Sequence, residues 1–219
     1  MFKKGEINKI LEELKGLYPD AGCELGYKTP FQLLIAVVLS AQTTDKKVNQ
    51  VTSKLFKDYP DLDSMLRLSE EEIQEAIREI GLYRNKSKNI RNLCMMLKEQ
   101  FGGEVPGNYE DLIKLPGVGR KTANVVLSNA FNIPAIAVDT HVFRLANRIG
   151  IANAKDVLKT EIQLQEKIPK EKWILAHHLL IWHGRRVCSA RKPRCEECKI
   201  QSYCKYYGIR GEKDVEKEL

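Results

Sequence analysis

Apolar residues recur along most of this chain at the three-to-four-residue spacing of an amphipathic helix. Ile7, Ile10, Leu11 and Leu14, for example, predict a first helix that ends before Pro19. We find no repeat and no low-complexity linker, and almost every segment has the helical period. We therefore predict an all-α protein. The segments predicted to be helices are 7–17, 31–39, 48–56, 62–66, 70–80, 90–101, 109–115, 123–130, 142–149, 157–168 and 173–182.

The segment 31–39 is apolar nearly all round, which fits either a buried strand or a buried helix. Thr29 is a favourable N-cap and Pro30 suits the first helical position, so the helix is favoured. This apolar run is too short to cross a bilayer, and the N-terminal residues do not resemble a signal peptide. We expect no membrane contact and a cytoplasmic protein whose thiols are reduced or bound to metal.

A hairpin of two helices is predicted around residues 108–130. Asn108 is placed to cap a short helix, Pro116-Gly117 breaks it, and a second helix begins after Gly119. Such a turn leaves backbone N–H groups that can bind an anion, and its glycines let a phosphate approach. Arg120 adds positive charge. The alternative is an ordinary tight connection between two helices.

Four cysteines near the C-terminus follow the pattern C-x6-C-x2-C-x5-C, and they are Cys188, Cys195, Cys198 and Cys204. Short loops bring such thiols together at little entropic cost. Both a zinc ion and a cubane iron–sulfur cluster take four thiolates, so the number of ligands does not decide between them. Ribbon-type zinc sites usually have two C-x-x-C pairs, and this segment has one.

The positive charge of the chain is concentrated in the same region. Lys and Arg outnumber Asp and Glu by 36 to 29, and the segment 183–210 has eight basic residues against two acidic ones. Arg191, Lys192 and Arg194 lie between the first two cysteines, where a bound metal would hold them in a rigid basic patch. Such a patch neutralises phosphates without reading sequence.

Two residues are candidates for chemistry. Lys121 lies near a helix start beside a cation, and both features disfavour its charged form, so a nucleophilic amine is as plausible as a phosphate-binding lysine. Asp139, in Val-Asp-Thr-His, precedes a predicted helix and has the sequence of an N-cap. It follows Lys121 by 18 residues, which is enough chain to fold back to the hairpin.

Four motifs, in order, resemble the endonuclease III family of DNA glycosylases: Ser-Ala-Gln at 40–42, Leu-Pro-Gly-Val-Gly-Arg-Lys-Thr-Ala at 115–123, Val-Asp-Thr-His at 138–141 and the cysteine pattern. The resemblance extends over roughly residues 1–210. It implies a two-lobed helix-hairpin-helix glycosylase fold with a DNA-binding cleft between the lobes. A six-helix bundle with the hairpin would occupy 22–133, and an iron–sulfur domain would occupy 1–21 and 134–219.

The resemblance also implies a base-excision repair enzyme that removes oxidised pyrimidines from duplex DNA and cleaves the abasic site by β-elimination. Lys121 and Asp139 would be the catalytic pair, and the four cysteines would hold a structural [4Fe–4S] cluster. Gln42 and Leu82 would enter the base stack, and Gly117, Gly119 and Arg120 would bind DNA with the basic loop. The residues of that loop that would bind DNA are Arg191, Lys192 and Arg194.

Plainer interpretations of the stack-entering residues exist. Leu82 fits a core contact at a helix end, and Gln42 fits an ordinary polar residue after a helix. Arg84, Lys86 and Lys88, just beyond Leu82, are placed to reach phosphate.

The expected partner is double-stranded DNA with damaged bases or abasic sites, bound by a monomer associated with the nucleoid. The competing interpretation is a non-catalytic helix-hairpin-helix DNA-binding module with a four-cysteine zinc site. That alternative explains the hairpin and the charge, but gives no reason for the segments containing Asp139 and Gln42.

Overall fold

The computed structural model describes residue 2 and residues 4–209, and residues 1, 3 and 210–219 of the predicted iron–sulfur domain lie outside that range. The described residues form helices, turns and loops with no β-strand, which confirms the all-α prediction. The helices are α1 Lys4–Leu17, α2 Pro30–Leu39, α3 Asp45–Asp58, α4 Leu62–Leu66, α5 Glu70–Ala76, α6 Tyr83–Gln100, α7 Tyr109–Leu112, α8 Arg120–Ala130, α9 Thr140–Ile149, α10 Val157–Lys167 and α11 Trp173–Arg186.

The chain divides into two compact units. We call Cys23–Ile133 the hairpin unit, and Met1–Gly22 with Pro134–Leu219 the cysteine unit. Each unit has its own set of packed helices. Over the described ranges of both units, no helix combines the length and the apolar content needed to cross a membrane.

Helix α2 is the centre of the hairpin unit. Its residues 31–39 are all buried, and it packs against α3, α6 and α8. Thr29 Oγ1 accepts a hydrogen bond from Gln32 N at 3.2 Å, and Pro30 occupies the first helical position. The apolar run is therefore a buried helix, because the cap and the proline start a helix where composition alone allows a strand.

Helix α5 is shorter than its pattern predicts. Ser69 and Glu72 form the expected capping box, but the α-helix ends at Ala76 rather than Ile80. Two hydrogen bonds follow in which an N–H donates to the carbonyl three residues earlier. They run from Arg78 N to Glu75 O (3.2 Å) and from Ile80 N to Ile77 O (2.8 Å). The chain tightens here because it must lead into Leu82, whose left-handed backbone cannot continue a right-handed helix.

In the cysteine unit, α11 packs against α1 and α9, and α9 also packs against α10. Helix α11 continues four residues beyond the predicted end at Trp182, up to Arg186. Gly184 lets this last turn pack closely against α9, since a Cβ there would lie 3.2 Å from the Cβ and backbone oxygen of His141. The core residues of this unit are Ile7, Ile10, Leu11, Leu14, Ile136, Val138, Val142, Leu145, Ala146, Ile149, Ile151, Ala152, Leu164, Ile168, Ala176, Leu179, Leu180 and Ile200.

Candidate nucleic-acid interface and metal centre

The predicted hairpin is present as α7, a turn and α8. Asn108 Oδ1 caps α7 by accepting a hydrogen bond from Asp111 N at 2.9 Å. Helix α8 begins instead at Gly119, which has no side chain to satisfy the first-turn N–H groups. Those donors therefore need an outside acceptor, and together with the positive end of the helix they suit a phosphate.

The two glycines of the turn are needed for different reasons. Gly117 has φ +80°, and a Cβ there would lie 3.1 Å from both Cβ and Nδ2 of Asn89. Gly119 has φ −96°, and its Cβ position has no heavy atom within 4 Å. Gly117 thus shapes the turn, whereas Gly119 leaves the backbone open to a ligand.

Cationic side chains surround the start of α8. Arg120 is exposed, with its guanidinium 5.5 Å from the centre of the Tyr109 ring. Lys121 is exposed in the first turn of α8, and its ammonium makes no hydrogen bond or ion pair with the described residues of the hairpin unit. Lys121 is therefore accessible from solvent. Tyr109, which orients Arg120, was not identified from the sequence.

Gln42 and Leu82 share an unusual backbone conformation. Both are exposed and both are left-handed, with φ of +55° and +60°. Leu82 is 54% exposed, so its interpretation as a core contact is wrong. The loops that carry them are adjacent, because the Cβ position of Gly81 is 3.6 Å from Gln42 O. Non-glycine residues adopt this conformation at a cost, and such strain is typical of functional loops.

Of the three cations after Leu82, one does not face solvent. Arg84 and Lys88 are exposed, but Lys86 is buried, and its ammonium donates hydrogen bonds inside the hairpin unit. Desolvation lowers the pKa of Lys86. The expectation that Lys86 reaches phosphate is therefore wrong.

Asp139 caps α9. Its Oδ1 accepts hydrogen bonds from His141 N and Val142 N, each at 2.8 Å, so the N-cap interpretation holds. The carboxylate follows the buried segment 135–138 and is itself only partly buried. Both bonds go to Oδ1. The other oxygen, Oδ2, makes no hydrogen bond within the described part of the cysteine unit. Capping fixes this carboxylate without using both of its oxygens.

The four predicted ligand cysteines line a single small cavity of about 20 Å³, whose other walls include Leu145, Ile149, Val187 and Ile200. All four are free, partly buried thiols. Burial raises the pKa of Cys198 to about 11 and also raises that of Cys204, so these thiols need a bound cation to become thiolates.

This arrangement has the donor set of the expected group. Four thiols line one apolar-walled cavity, and four thiolates are what a cubane iron–sulfur cluster takes. The residues present therefore fit the expected group.

Two neighbours of the cysteines were missed from the sequence. His183 is fully buried in α11, with Nε2 3.3 Å from Cys198 Sγ and Nδ1 3.0 Å from Tyr18 Oη. Burial lowers the pKa of His183 to about 4, which keeps the imidazole neutral. Arg148 on α9 donates to Cys188 Sγ at 3.5 Å. The signal in the sequence that could have found them is a basic residue at a position next to the apolar face of a helix, His183 on α11 and Arg148 on α9.

The basic loop between Cys188 and Cys195 is held by internal hydrogen bonds, but only some of its cations are paired within the protein. Ser189 Oγ donates to Lys192 O at 2.6 Å, and Arg194 forms an ion pair with Glu197 at 3.3 Å. Arg191 and Lys192 are exposed, and neither side chain has a hydrogen bond or ion pair with any residue the structure describes. These two cations are the ones most available to a phosphate.

Comparisons with known proteins agree with these features. The family model described as "HhH-GPD superfamily base excision DNA repair protein" matches residues 35–170. The model described as "iron-sulfur binding domain of endonuclease III" matches residues 188–204.

Endonuclease III of Bacillus subtilis (strain 168) is 50% identical over 99% of this chain and 100% of its own length. Endonuclease III of Escherichia coli (strain K12) is 48% identical over 93% of this chain and 96% of its own length. A solved structure of a trapped endonuclease III–DNA covalent intermediate superimposes with a TM-score of 0.91 at 49% identity. The superposition covers 96% of this chain and 100% of the chain in that structure.

The two glycines give a matched test of the turn. We expect Gly117→Ala to cost about 1–2 kcal/mol, because alanine disfavours positive φ and because its methyl would press on Asn89. Gly119→Ala, in open space at an allowed φ, should change stability by less than about 0.5 kcal/mol. Chemical denaturation of both variants measures the difference. Equal stabilities would contradict the role assigned to Gly117.

Proposed function

Because this chain belongs to the endonuclease III family of base-excision DNA repair enzymes, we propose that Lys121 is its nucleophile and Asp139 its partner carboxylate. The chain is a DNA glycosylase and abasic-site lyase, and it carries a [4Fe–4S] cluster. The non-catalytic zinc alternative is therefore wrong. The observation that carries the residue assignment is the uncapped, exposed first turn of α8, which presents the lysine beside phosphate-binding N–H groups.

The substrate is an oxidised pyrimidine in duplex DNA. The C1′ atom of its sugar is inaccessible inside the stack, so the nucleotide must be flipped out. Side chains that enter the stack stabilise the space left behind. Gln42 and Leu82 suit this task because both are exposed and held in fixed, left-handed turns.

Asp139 takes a proton from the Lys121 ammonium or stabilises the oxocarbenium charge that develops on the sugar. Lys121 Nζ then bonds to C1′ as the bond from C1′ to the base breaks, and the ring opens to a Schiff base. Loss of a C2′ proton pushes electrons toward the iminium and breaks the C3′–O bond, which cuts the strand 3′ to the lesion. Asp139 can combine capping with this role because its cap uses only Oδ1.

Binding to the DNA backbone is assigned to two segments. In the hairpin, backbone N–H groups at the turn formed by Gly117 and Gly119 donate hydrogen bonds to a phosphate, and Arg120 adds positive charge. In the basic loop, Arg191 and Lys192 are exposed, and Arg194 contributes less because it pairs with Glu197. Contacts of this kind give affinity without sequence preference, which a repair enzyme that searches long DNA needs.

The cluster would be held by Cys188, Cys195, Cys198 and Cys204. When bound, it supplies electrostatic attraction that keeps four thiolates together and fixes the loop between them. With all four ligands provided by the chain, the residues support a structural role. We also propose that the enzyme acts as a monomer in the cytoplasm, associated with the nucleoid, since one chain contains every group named above.

Covalent trapping tests the nucleophile. With borohydride and a duplex that contains one oxidised pyrimidine, the wild-type protein should form a stable DNA adduct, and Lys121→Ala should form none, because only the lysine amine makes a reducible Schiff base. Asp139→Asn should still fold, since asparagine caps helices as well as aspartate. Its turnover should fall by about 10²- to 10⁴-fold.

Denaturation and DNA-binding measurements on Asp139→Asn serve as the control for folding. Undiminished trapping by Lys121→Ala would refute the nucleophile. Full turnover by Asp139→Asn would show that the carboxylate only caps α9.

Salt dependence tests the basic loop. We expect the double variant Arg191→Ala/Lys192→Ala to bind undamaged duplex more weakly. The slope of log K against log salt should shrink by about 1.8, which is about 0.9 for each lost phosphate contact. The matched control is Lys54→Ala/Lys57→Ala on α3, which removes the same charge from exposed positions. Identical slopes for the two double variants would remove the loop from the interface.

Metal analysis tests the cysteine ligands. The purified protein should be yellow-brown and contain iron and sulfide in equal amounts, and Cys198→Ser should lose most of both. Cys23→Ser, a partly buried cysteine outside the pattern, should keep them. A colourless protein with one zinc ion would contradict the assignment.

A further inference from the structure

Lys86 is a buried lysine with no carboxylate among its hydrogen-bond partners. Only 4% of the residue is exposed, although Arg84 and Lys88, two positions before and after it on α6, are exposed. Its Nζ donates to Leu39 O at 2.9 Å, to Ala41 O at 2.6 Å and to Thr43 Oγ1 at 3.2 Å. An ammonium has three donors, so all of them are satisfied. The group is specifically placed, because a buried cation without partners is strongly unfavourable.

The acceptors are all at the C-terminal end of α2 or just after it. Leu39 is the last residue of α2, and its carbonyl belongs to the negative end of that helix. Ala41 and Thr43 stand immediately before and after Gln42. The ammonium therefore caps α2 and at the same time holds the chain on both sides of Gln42.

The conformation of Gln42 explains why such a clamp is needed. A glutamine at φ +55° is in a region that side chains with a Cβ disfavour, and it remains there only when its surroundings fix it. Beyond the bonds to Lys86, the loop has a turn bond from Thr43 N to Ser40 O at 3.1 Å and a longer bond from Thr43 Oγ1 to Ala41 O at 3.4 Å. The side chain of Gln42 itself is exposed.

Lys86 is also linked to Leu82. Its backbone N–H donates to Leu82 O at 3.1 Å in the first turn of α6, so the side chain that holds the Gln42 loop lies one turn after the second left-handed residue. Residue 89, one turn further along α6, packs under Gly117 of the hairpin. One helix thus supports three segments: the Gln42 loop, the Leu82 turn and the hairpin.

We infer that Lys86 is a positioning residue: its three side-chain hydrogen bonds hold Gln42, beside Leu82, in the geometry that enters the base stack. This inference rests on the proposed function, because it assumes that these two residues replace an extruded nucleotide. Lys86 touches neither DNA nor the reacting atoms. Its contribution should appear only where a duplex must be opened.

Two DNA substrates separate positioning from simple folding. The first is a duplex with one thymine glycol, which needs base extrusion, and the second is single-stranded DNA with one abasic site, which does not. Single-turnover rates are measured for wild type, Lys86→Met, Lys86→Arg and the control Lys98→Met, an exposed lysine further along α6.

We expect Lys86→Met to cut the duplex at least about tenfold more slowly, and the single strand within about twofold of wild type. Lys86→Arg, which keeps a cation with several donors, should recover part of the duplex rate. Lys98→Met should match wild type on both substrates.

A double-mutant cycle with Gln42→Ala adds a second readout. If Lys86 acts by holding Gln42, the double variant should be no slower on the duplex than the slower single variant, because both changes remove one function. Additive losses would indicate an unrelated structural effect. If Lys86→Met does not fold, Thr43→Val, which removes one acceptor, replaces it, and we expect about a threefold loss confined to the duplex.

The possible failures are distinguishable. A wild-type protein that cuts neither DNA would contradict the proposed function. A wild-type protein that cuts both, with Lys86→Met equally slow on both and lower in melting temperature, would overturn only the inference about Lys86.

Discussion

The start of helix α8 is the constraint on which the rest of this structure depends. In the hairpin unit, α2, α3, α4, α5 and α7 each begin with a side chain that accepts a backbone N–H: Thr29, Thr44, Asp61, Ser69 and Asn108. Helices α6 and α8 begin instead at Leu82 and Gly119, with no side-chain cap. These two uncapped helices are the ones assigned to DNA. The missing caps cost stability and leave donors and an exposed side chain for a ligand.

Much of this could be predicted from the sequence, because caps and breakers act locally. Thr29-Pro30 identified α2 as a helix, and Asn108 with Pro116-Gly117 located the hairpin. The left-handed turns at Gln42 and Leu82 could not be predicted, since nothing local favours positive φ at those residue types. The turn at Gln42 is held by Lys86, 44 residues further along the chain. The early end of α5 precedes the left-handed backbone at Leu82, so it could not be predicted either.

In the cysteine unit, spacing identified the four thiols but not their surroundings. Tyr18 and His183 are 165 positions apart, and Arg148 approaches Cys188 from another helix. Such contacts depend on how α1, α9 and α11 pack, which no short motif encodes. They matter physically because a neutral imidazole and a guanidinium beside the sulfurs favour thiolates that burial alone disfavours.

The net charge of +7 overstates how much of the protein is available to DNA. Lys86 uses all three of its donors internally, Arg144 donates to Gly184 O and Cys188 O, and Arg194 pairs with Glu197. These cations build the framework, and only exposed ones such as Arg191 can release counterions from a phosphate backbone. Counting basic residues along a sequence therefore locates the region that meets a polyanion, but burial and hydrogen bonding decide which of them reach it. On α6, for example, Lys86 is buried and structural, whereas Lys88, two residues further on, is exposed to solvent.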